Sequence, residues 1–308
     1  MKRFFIFISL IGLVGCAPLK QEVVLFPDEY APSTHEVVDF NKPSDRPRFL
    51  SCNYEHYADA YSNQVPDNKN HNKAAVAAYK FALMASNSYH DNAFFTIKDW
   101  HYVKHYRGKE GSHQEIEFQA DIWEYRQQDQ VEKIAIVFRG TDGKGDWDAN
   151  LKLATEHSGR MPAQYQIAKT LYNQLKSRDE YKQARVYLVG HSLGGSLAYH
   201  VSWYHENVLA FTFNASERKW VSGKATKATR YVLRENDEIL TRIKFIRYFS
   251  PLAPDTVTAE EYDFSLGNSI RQHNMYNFAR GLLLLAAANG DSDAKAILND
   301  NLMCELAL

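Results

Sequence analysis

The chain has 308 residues, of which 45% are hydrophobic and 24% are charged, which is the composition of a globular protein with a sizeable core. Its 36 lysines and arginines nearly balance its 37 aspartates and glutamates, and the formal net charge is -1. Nucleic-acid-binding domains usually carry a basic surface, so this balance argues against a nucleic-acid partner. The length suits one large domain or two small ones.

The first residues are predicted to be an export signal. Lys2 and Arg3 precede an apolar stretch from Phe4 to Gly15, which is too short to span a bilayer as a helix. The stretch closes on LVGC, which resembles the cleavage and acylation site of bacterial lipoproteins. We therefore expect residues 1–15 to be a signal peptide and Cys16 to carry the lipid. The protein would then be anchored in a bacterial cell envelope, at the outer membrane if the bacterium has two membranes. A plain secretory signal and an uncleaved anchor are the alternatives.

Two further cysteines, Cys52 and Cys304, lie near the two ends of the mature chain. Export places them in an oxidising compartment, where a disulfide persists. A disulfide also requires that the two Cα atoms lie within bridging distance, which depends on the fold. A bridge that ties the termini together and a pair of buried free thiols therefore both remain open.

The organised domain is predicted to begin near residue 73. Residues 16–72 show no sustained hydrophobic period and contain several prolines, so we interpret this segment as a tether or N-terminal extension. Residues 73–308 form the predicted domain. It opens with a helix in which alanines recur at close-packing positions from Ala74 to Ala85.

Strand and helix patterns then alternate along the chain. Apolar and polar residues alternate from Ile116 to Ile122, as in a half-buried strand, and KIAIVF is a continuous apolar run typical of a buried central strand. QQDQ between them predicts a turn. The later segments predict a helix in MPAQYQIAKTLYNQLKSR, a buried strand in RVYLVG, a helix in SLGGSLAYHVSWYH, strands in VLAFTFNAS and TRYVLREND, and a core helix in RGLLLLAAA. This order predicts an α/β fold with a mostly parallel central sheet and helices on both faces.

A glycine-framed serine stands where RVYLVG ends. The sequence GHSLGG at residues 190–195 contains G-x-S-x-G between a predicted strand and a predicted helix, which is the context of a nucleophile elbow. A helix that starts there aims its N-terminal N–H groups at the site, and these favour a developing anion. Ser192 is therefore the candidate nucleophile. The alternative is a tight turn that happens to contain a serine.

A serine nucleophile needs a base and an acid that orients the base, and on α/β-hydrolase folds they follow in the order Ser, Asp or Glu, His. Beyond Ser192 and outside the helix that it opens, His273 is the one histidine in the sequence, so it is the candidate base. Asp237, Asp255 and Asp263 are candidates for the acid. Asp237 is favoured because it ends the strand-like RYVLREND, where a loop at the expected carboxyl edge of the sheet would place it beside the elbow.

The reaction also needs an oxyanion hole. The backbone N–H of Leu193, the residue after the nucleophile, is one expected donor. The second must come from another loop, and VFRGTD supplies one, since a buried strand there opens into Arg139-Gly140-Thr141. Thr141 is the candidate.

Together these motifs resemble the class 3 lipases, a fungal-lipase-like family of α/β hydrolases. VFRGTD, DWDANL, EHSG, GHSLGG, RENDEIL and QHNMY occur in the order of that family, between about residues 74 and 285. The resemblance implies an α/β-hydrolase fold and assigns the nucleophile to Ser192, the acid to Asp237, the base to His273 and an oxyanion donor to Thr141. Asn150, Leu240 and the segment FNAS depart from the family pattern; they affect the pocket walls and leave the triad intact.

We therefore expect a serine carboxylic-ester hydrolase, a lipase or esterase that cleaves acyl esters of lipids through an acyl-enzyme. A phospholipase A that acts on envelope glycerophospholipids is the alternative within enzymes. A catalytically silent hydrolase fold that binds its ligand is the alternative from another class. The sequence has no Cys/His metal cluster and no phosphate-binding glycine loop, so no cofactor and no metal are expected. The expected partners are the lipid substrate and the membrane that holds the anchor, and the sequence indicates no oligomeric state.

Overall fold

The structure is a computed structural model. It describes residues 23–28, 69–89, 95–110, 114–140, 161–216, 219–236, 240, 252–262, 264 and 273–300. Five of the predicted site residues lie outside this part of the chain: Cys16, Cys52, Thr141, Asp237 and Cys304. The lipidation of Cys16 and the pairing of Cys52 with Cys304 therefore stay predictions.

One sheet organises the described part of the chain, and its eight strands follow one another in sequence order. The strands are β1 (Val23–Asp28), β2 (Trp100–Glu110), β3 (Gln114–Gln127), β4 (Gln130–Phe138), β5 (Arg185–His191), β6 (Val208–Phe213), β7 (Thr229–Glu235) and β8 (Thr256–Tyr262). The strands β1 to β4 pair antiparallel, and β4 to β8 pair parallel. The predicted mostly parallel α/β sheet is confirmed.

The edge strand β1 lies within residues 16–72, the segment that we interpreted as a tether. It pairs antiparallel with β2, from Val23 opposite Glu110 to Asp28 opposite His105. Its VVLF run is apolar and partly β-branched, which suits a strand, but it is too short to stand out among the surrounding prolines. Part of the predicted tether thus belongs to the sheet.

Helices cover both faces of the sheet, as predicted. They are α1 (Lys69–Asn87), α2 (Ala163–Lys176), α3 (Leu193–Tyr204), α4 (Met275–Ala288) and α5 (Ser292–Asp300). The helices α1, α4 and α5 pack on one face, and α2 and α3 on the other. The RGLLLLAAA run lies in α4, where Leu282 to Ala287 are buried, which confirms the predicted core helix. Among the described helices, none combines the length and the hydrophobicity that a membrane crossing requires.

The central strand β4 shows why this fold follows from its sequence. Ala135 and Val137 face the α1 and α4 side, while Ile134, Ile136 and Phe138 face the α2 and α3 side, and all five are fully buried. Successive residues of a strand point to opposite faces, so a strand covered on both sides is apolar throughout. The hairpin before it turns at Gln128 and Asp129 with φ of 47° and 65°, which confirms the turn predicted from QQDQ.

Polar contacts tie the C-terminal helix α5 to the first helix α1. The Tyr79 hydroxyl donates to Asp291 at 2.8 Å, and Lys80 donates to Asp293 at 2.6 Å. Lys98 bonds the other carboxylate oxygen of Asp293 at 3.1 Å. Burial and the Asp291 carboxylate raise the pKa of Tyr79 far above its ordinary value. The hydroxyl therefore stays protonated and keeps donating to Asp291.

A second buried network fastens the loop before β5 to the sheet. The Tyr181 hydroxyl donates to the Glu124 carboxylate at 2.5 Å, and Arg126 pairs with the same carboxylate at 2.6 Å. Glu124 is only 2% exposed, so these two donors satisfy a charge that would otherwise be costly to bury. The network lies among the α2-side core residues, on β3 and the short 3-10 helix Asp179–Tyr181.

Candidate active site

Ser192 lies at the junction of β5 and α3, where the sequence placed the elbow. Its backbone has φ 55° and ψ −125°, a conformation that costs a non-glycine residue on the order of 1–3 kcal/mol. Three hydrogen bonds hold it. The Ser192 N–H donates to the carbonyl of Phe213 at 3.0 Å, and the Ser192 carbonyl accepts from the N–H groups of Ser196 and Ser216, both at 3.2 Å. The surrounding backbone therefore fixes the strained residue at the carboxyl edge of the sheet.

Two glycines let the first turn of α3 sit directly on the strand ends. A Cβ at Gly194 would collide with the carbonyl group of Phe138, the last residue of β4. A Cβ at Gly190 would collide with the backbone of Gly194. The glycines of the motif thus serve close backbone approach, which brings the N-terminus of α3 to the site.

The loop after β4 reaches the nucleophile. Gly140 is buried, and a Cβ there would lie 3.1 Å from the Cβ of Ser192 and 2.7 Å from the carbonyl oxygen of His191. Thr141 is the next residue and lies outside the described part, so its role as an oxyanion donor stays a prediction. Leu193 is the first residue of α3, where N–H groups have no partner within the helix, so its N–H is suited to the same role.

His273 comes to the same edge of the sheet from a distant part of the chain. It is 1% exposed and precedes Asn274, the residue that caps the start of α4 by accepting from the N–H of Asn277 at 3.0 Å. The centroid of its ring lies 4.6 Å from that of His191, the neighbour of Ser192 in sequence. The structure thus brings the predicted base against the residue that precedes the predicted nucleophile.

The candidate acids separate by their position along the sheet. The strand β7 ends at Glu235, and the N–H of Asn236 donates to the carbonyl of Tyr262 at 2.6 Å. Residue 237 therefore follows the carboxyl end of β7, a strand parallel to β6, and β6 in turn pairs with β5, the strand that ends next to Ser192. Asp255 stands before the first residue of β8, at the opposite edge, which disfavours it. Asp237 and Asp263 lie outside the described residues, and the role of Asp237 stays a prediction.

Two residues that the sequence reasoning left unassigned adjoin the site. The Tyr89 hydroxyl lies 2.7 Å from Nδ1 of His191, within hydrogen-bond distance. His191 is 4% exposed. Burial first, and the charge of His273 second, hold the pKa of His191 well below its ordinary value, so its ring is neutral at neutral pH. Tyr89 follows the end of α1, and no motif in its surroundings signals a role.

The remaining features of the described chain lie away from this chemistry. A groove of about 920 Å³ runs along the opposite edge of the sheet, where Arg185, Val208 and Thr229 open β5, β6 and β7. It is therefore not a pocket for a substrate of Ser192. Within the described residues, no group of three or more His, Cys, Asp or Glu side chains is placed to hold a metal ion.

Comparison with known families supplies independent support. The family model described as a Tle-like phospholipase domain, in a phospholipase-like group, matches residues 80–219. The match supports a lipase- or phospholipase-like family. It runs from within α1 past the end of β6 and includes the Ser192 elbow, so it supports a lipid-hydrolysing activity in general. It ends before residues 237 and 273, and it does not distinguish the class 3 lipases from other lipase-like families. Among curated proteins, none matches the sequence.

Proposed function

We propose that the protein is a serine carboxylic-ester hydrolase of the α/β-hydrolase fold, which cleaves acyl esters of lipids through Ser192, Asp237 and His273. The observation that carries the proposal is the strained backbone of Ser192 at a strand–helix junction, with the buried ring of His273 next to its neighbour His191. A glycine at this junction would remove the strain, so a serine kept at this φ is consistent with a role for its side chain.

The proposed reaction follows from the roles of these groups. Ser192 Oγ attacks the ester carbonyl carbon while His273 takes the hydroxyl proton, and Asp237 holds the imidazole in the orientation that this requires. The N–H groups of Leu193 and Thr141 stabilise the oxyanion of the tetrahedral intermediate, each at a typical worth of about 2.7–4 kcal/mol. His273 then protonates the leaving alcohol. Water repeats the sequence on the acyl-enzyme and releases the acid.

Removal of one hydroxyl tests this function. In Ser192→Ala, hydrolysis of a short-chain nitrophenyl ester should fall to background while the circular dichroism spectrum is retained. Ser196→Ala is the matched control, since it removes a buried hydroxyl four residues further along, one that donates to the carbonyl of Ser216 at 2.8 Å. It should lose stability and keep turnover. Unchanged turnover in Ser192→Ala would refute the proposal.

Covalent labelling separates the enzyme from a silent binding fold. A fluorophosphonate probe reacts with an activated serine, so it should label the wild type and fail to label Ser192→Ala. Absence of labelling in the wild type would favour a fold that binds lipid without cleaving it.

A phospholipase A is the second candidate, because the matched family model is a phospholipase domain; the match supports lipid hydrolysis in general and does not rank a phospholipase above a lipase. Both candidates use the same Ser192 chemistry and differ in the lipid that occupies the site. Incubation with phosphatidylethanolamine vesicles and with triglyceride emulsions distinguishes them. Release of fatty acid together with lysophospholipid would identify a phospholipase A, and release from the emulsion alone would identify a neutral lipase.

Localisation in the cell envelope through a lipid on Cys16 is a further part of the proposal. It rests on the charged start, the apolar stretch and the closing LVGC of residues 1–16. In Cys16→Ser, the protein should shift from the membrane fraction to the soluble fraction of the cell extract. An unchanged distribution would contradict lipid anchoring.

A further inference from the structure

Three side chains from distant parts of the sequence meet at the elbow. The Tyr89 hydroxyl contacts Nδ1 of His191 at 2.7 Å, and the two rings meet edge to face with centroids 5.6 Å apart. On its other side, the His191 ring lies against the ring of His273, at 4.6 Å between centroids. His191 therefore stands between Tyr89 and the residue proposed as the catalytic base.

The Tyr89 hydroxyl also borders the nucleophile. A Cβ on Gly140 would collide with this hydroxyl and would lie 3.1 Å from the Cβ of Ser192, so the hydroxyl and the serine flank the same point of the loop. The guanidinium of Arg139 lies 5.5 Å from the centroid of the Tyr89 ring, a cation–π distance that holds the ring in place. Tyr89 is thus fixed on both sides.

The protonation state of His191 suits a structural link next to a base. The lowered pKa keeps His191 neutral, so it does not oppose the positive charge that His273 acquires when it takes the serine proton. With the ring proton on Nε2, the Tyr89 hydroxyl donates to Nδ1. The backbone of His273 lies near the His191 ring as well. Nε2 has no well-aligned hydrogen-bond partner among the described residues, so that backbone contact is weak.

We propose that Tyr89 and His191 form a positioning pair, in which the Tyr89 hydroxyl fixes the His191 ring and the His191 ring fixes the ring of His273 for proton transfer from Ser192. The proposal rests on the proposed function, since it needs His273 to be the base. In this pair neither residue takes part in bond making. Tyr89 acts through His191, and His191 acts through His273.

The test begins with Tyr89→Phe, which removes the hydroxyl and keeps the ring. The expected result is a decrease of about tenfold in kcat for a nitrophenyl ester, with KM unchanged, since the base is misplaced and the substrate site is not; tenfold corresponds to about 1.4 kcal/mol. The matched control is Tyr181→Phe, which removes a buried hydroxyl bonded to Glu124 on the other side of the sheet. It should lower the Tm and leave kcat unchanged, whereas Tyr89→Phe should lower kcat and leave the Tm unchanged.

A double-mutant cycle separates the pair from an independent effect of Tyr89. His191→Leu fills the buried site with an apolar side chain, and it should lower kcat at least as much as Tyr89→Phe. If Tyr89 acts through His191, the double variant has the kcat of His191→Leu alone, because coupled residues are not additive. Additive losses would overturn the proposal, as would wild-type kcat in Tyr89→Phe. If His191→Leu does not fold, the comparison of Tyr89→Phe with Tyr181→Phe still tests the proposal. A lowered kcat with unchanged KM and Tm in Tyr89→Phe alone would support it, and equal kcat in the two variants would overturn it.

The outcome for Ser192→Ala keeps the two proposals apart. If Ser192→Ala retains hydrolysis, the proposed function fails and this inference fails with it. If Ser192→Ala is inactive and Tyr89→Phe equals the wild type, the hydrolase stands and only the positioning pair is rejected.

Discussion

Glycine and alanine at position 192 separate the backbone cost of the elbow from the chemistry of its side chain. Both substitutions remove the hydroxyl, so both should abolish ester hydrolysis. They differ in the backbone, because only glycine adopts a φ of 55° without strain. The Ser192 side chain makes no capping hydrogen bond to α3, so loss of the hydroxyl takes nothing from the helix. The comparison therefore isolates the strain.

The magnitude follows from two opposing contributions. Relief of strain at a positive φ favours glycine by on the order of 1–3 kcal/mol. Glycine also gains conformational entropy in the unfolded chain, which disfavours the folded state by roughly 0.5–1 kcal/mol. Ser192→Gly should therefore be more stable than Ser192→Ala by about 1 kcal/mol, which is a Tm difference of about 2–4 °C in a domain of roughly 150–250 residues.

Thermal and urea unfolding of the two inactive variants measure this difference. The three backbone hydrogen bonds of residue 192 are available to both variants, since they involve only its N–H and carbonyl groups. A glycine variant that is no more stable than the alanine variant would show that the elbow is unstrained. The backbone of Ser192 would then no longer support its role as the nucleophile.

Three further changes test other parts of the structure. Burial lowers the pKa of His200 from 6.5 to about 4, so the folded state resists protonation of this ring. The neutral His200 ring therefore costs the folded state nothing above pH 6.5, and the free energy of unfolding falls by about 3 kcal/mol as the pH drops to 4, because the unfolded chain takes up the proton first. In urea unfolding at several pH values, the free energy of unfolding of His200→Asn should decrease less between pH 6.5 and 4 than that of the wild type. An equal decrease would show that His200 does not have the lowered pKa. Gly194→Ala forces a Cβ into the carbonyl group of Phe138. It should lower the free energy of unfolding by about 1–3 kcal/mol and abolish ester turnover. Retained turnover would show that the elbow tolerates a Cβ at this position. Asp293→Asn breaks ion pairs with two lysines at 2.6 and 3.1 Å. It should lower the free energy of unfolding in urea by about 1 kcal/mol and keep wild-type turnover. An unchanged free energy of unfolding would mean that these surface pairs do not stabilise the fold.

Much of the framework was predictable because it depends on local patterns. The KIAIVF run reads as a strand covered on both faces, and β4 is such a strand. GHSLGG predicts a strand–helix elbow, and Ser192 has the backbone that an elbow needs. The strand β1 was missed, because a short apolar run inside a proline-containing segment becomes a strand only when the neighbouring strand β2 pairs with it.

The sequence by itself determined the order of the elements, the apolar faces and the position of the candidate nucleophile. These depend on hydrophobic period and turn chemistry over a few neighbouring residues. The tertiary structure alone decided that Tyr89 meets His191 across 102 positions of the chain, and that His273 lies against the same ring. Such contacts depend on the packing of α1 and α4 against the end of β5, and no local pattern in the chain encodes that packing.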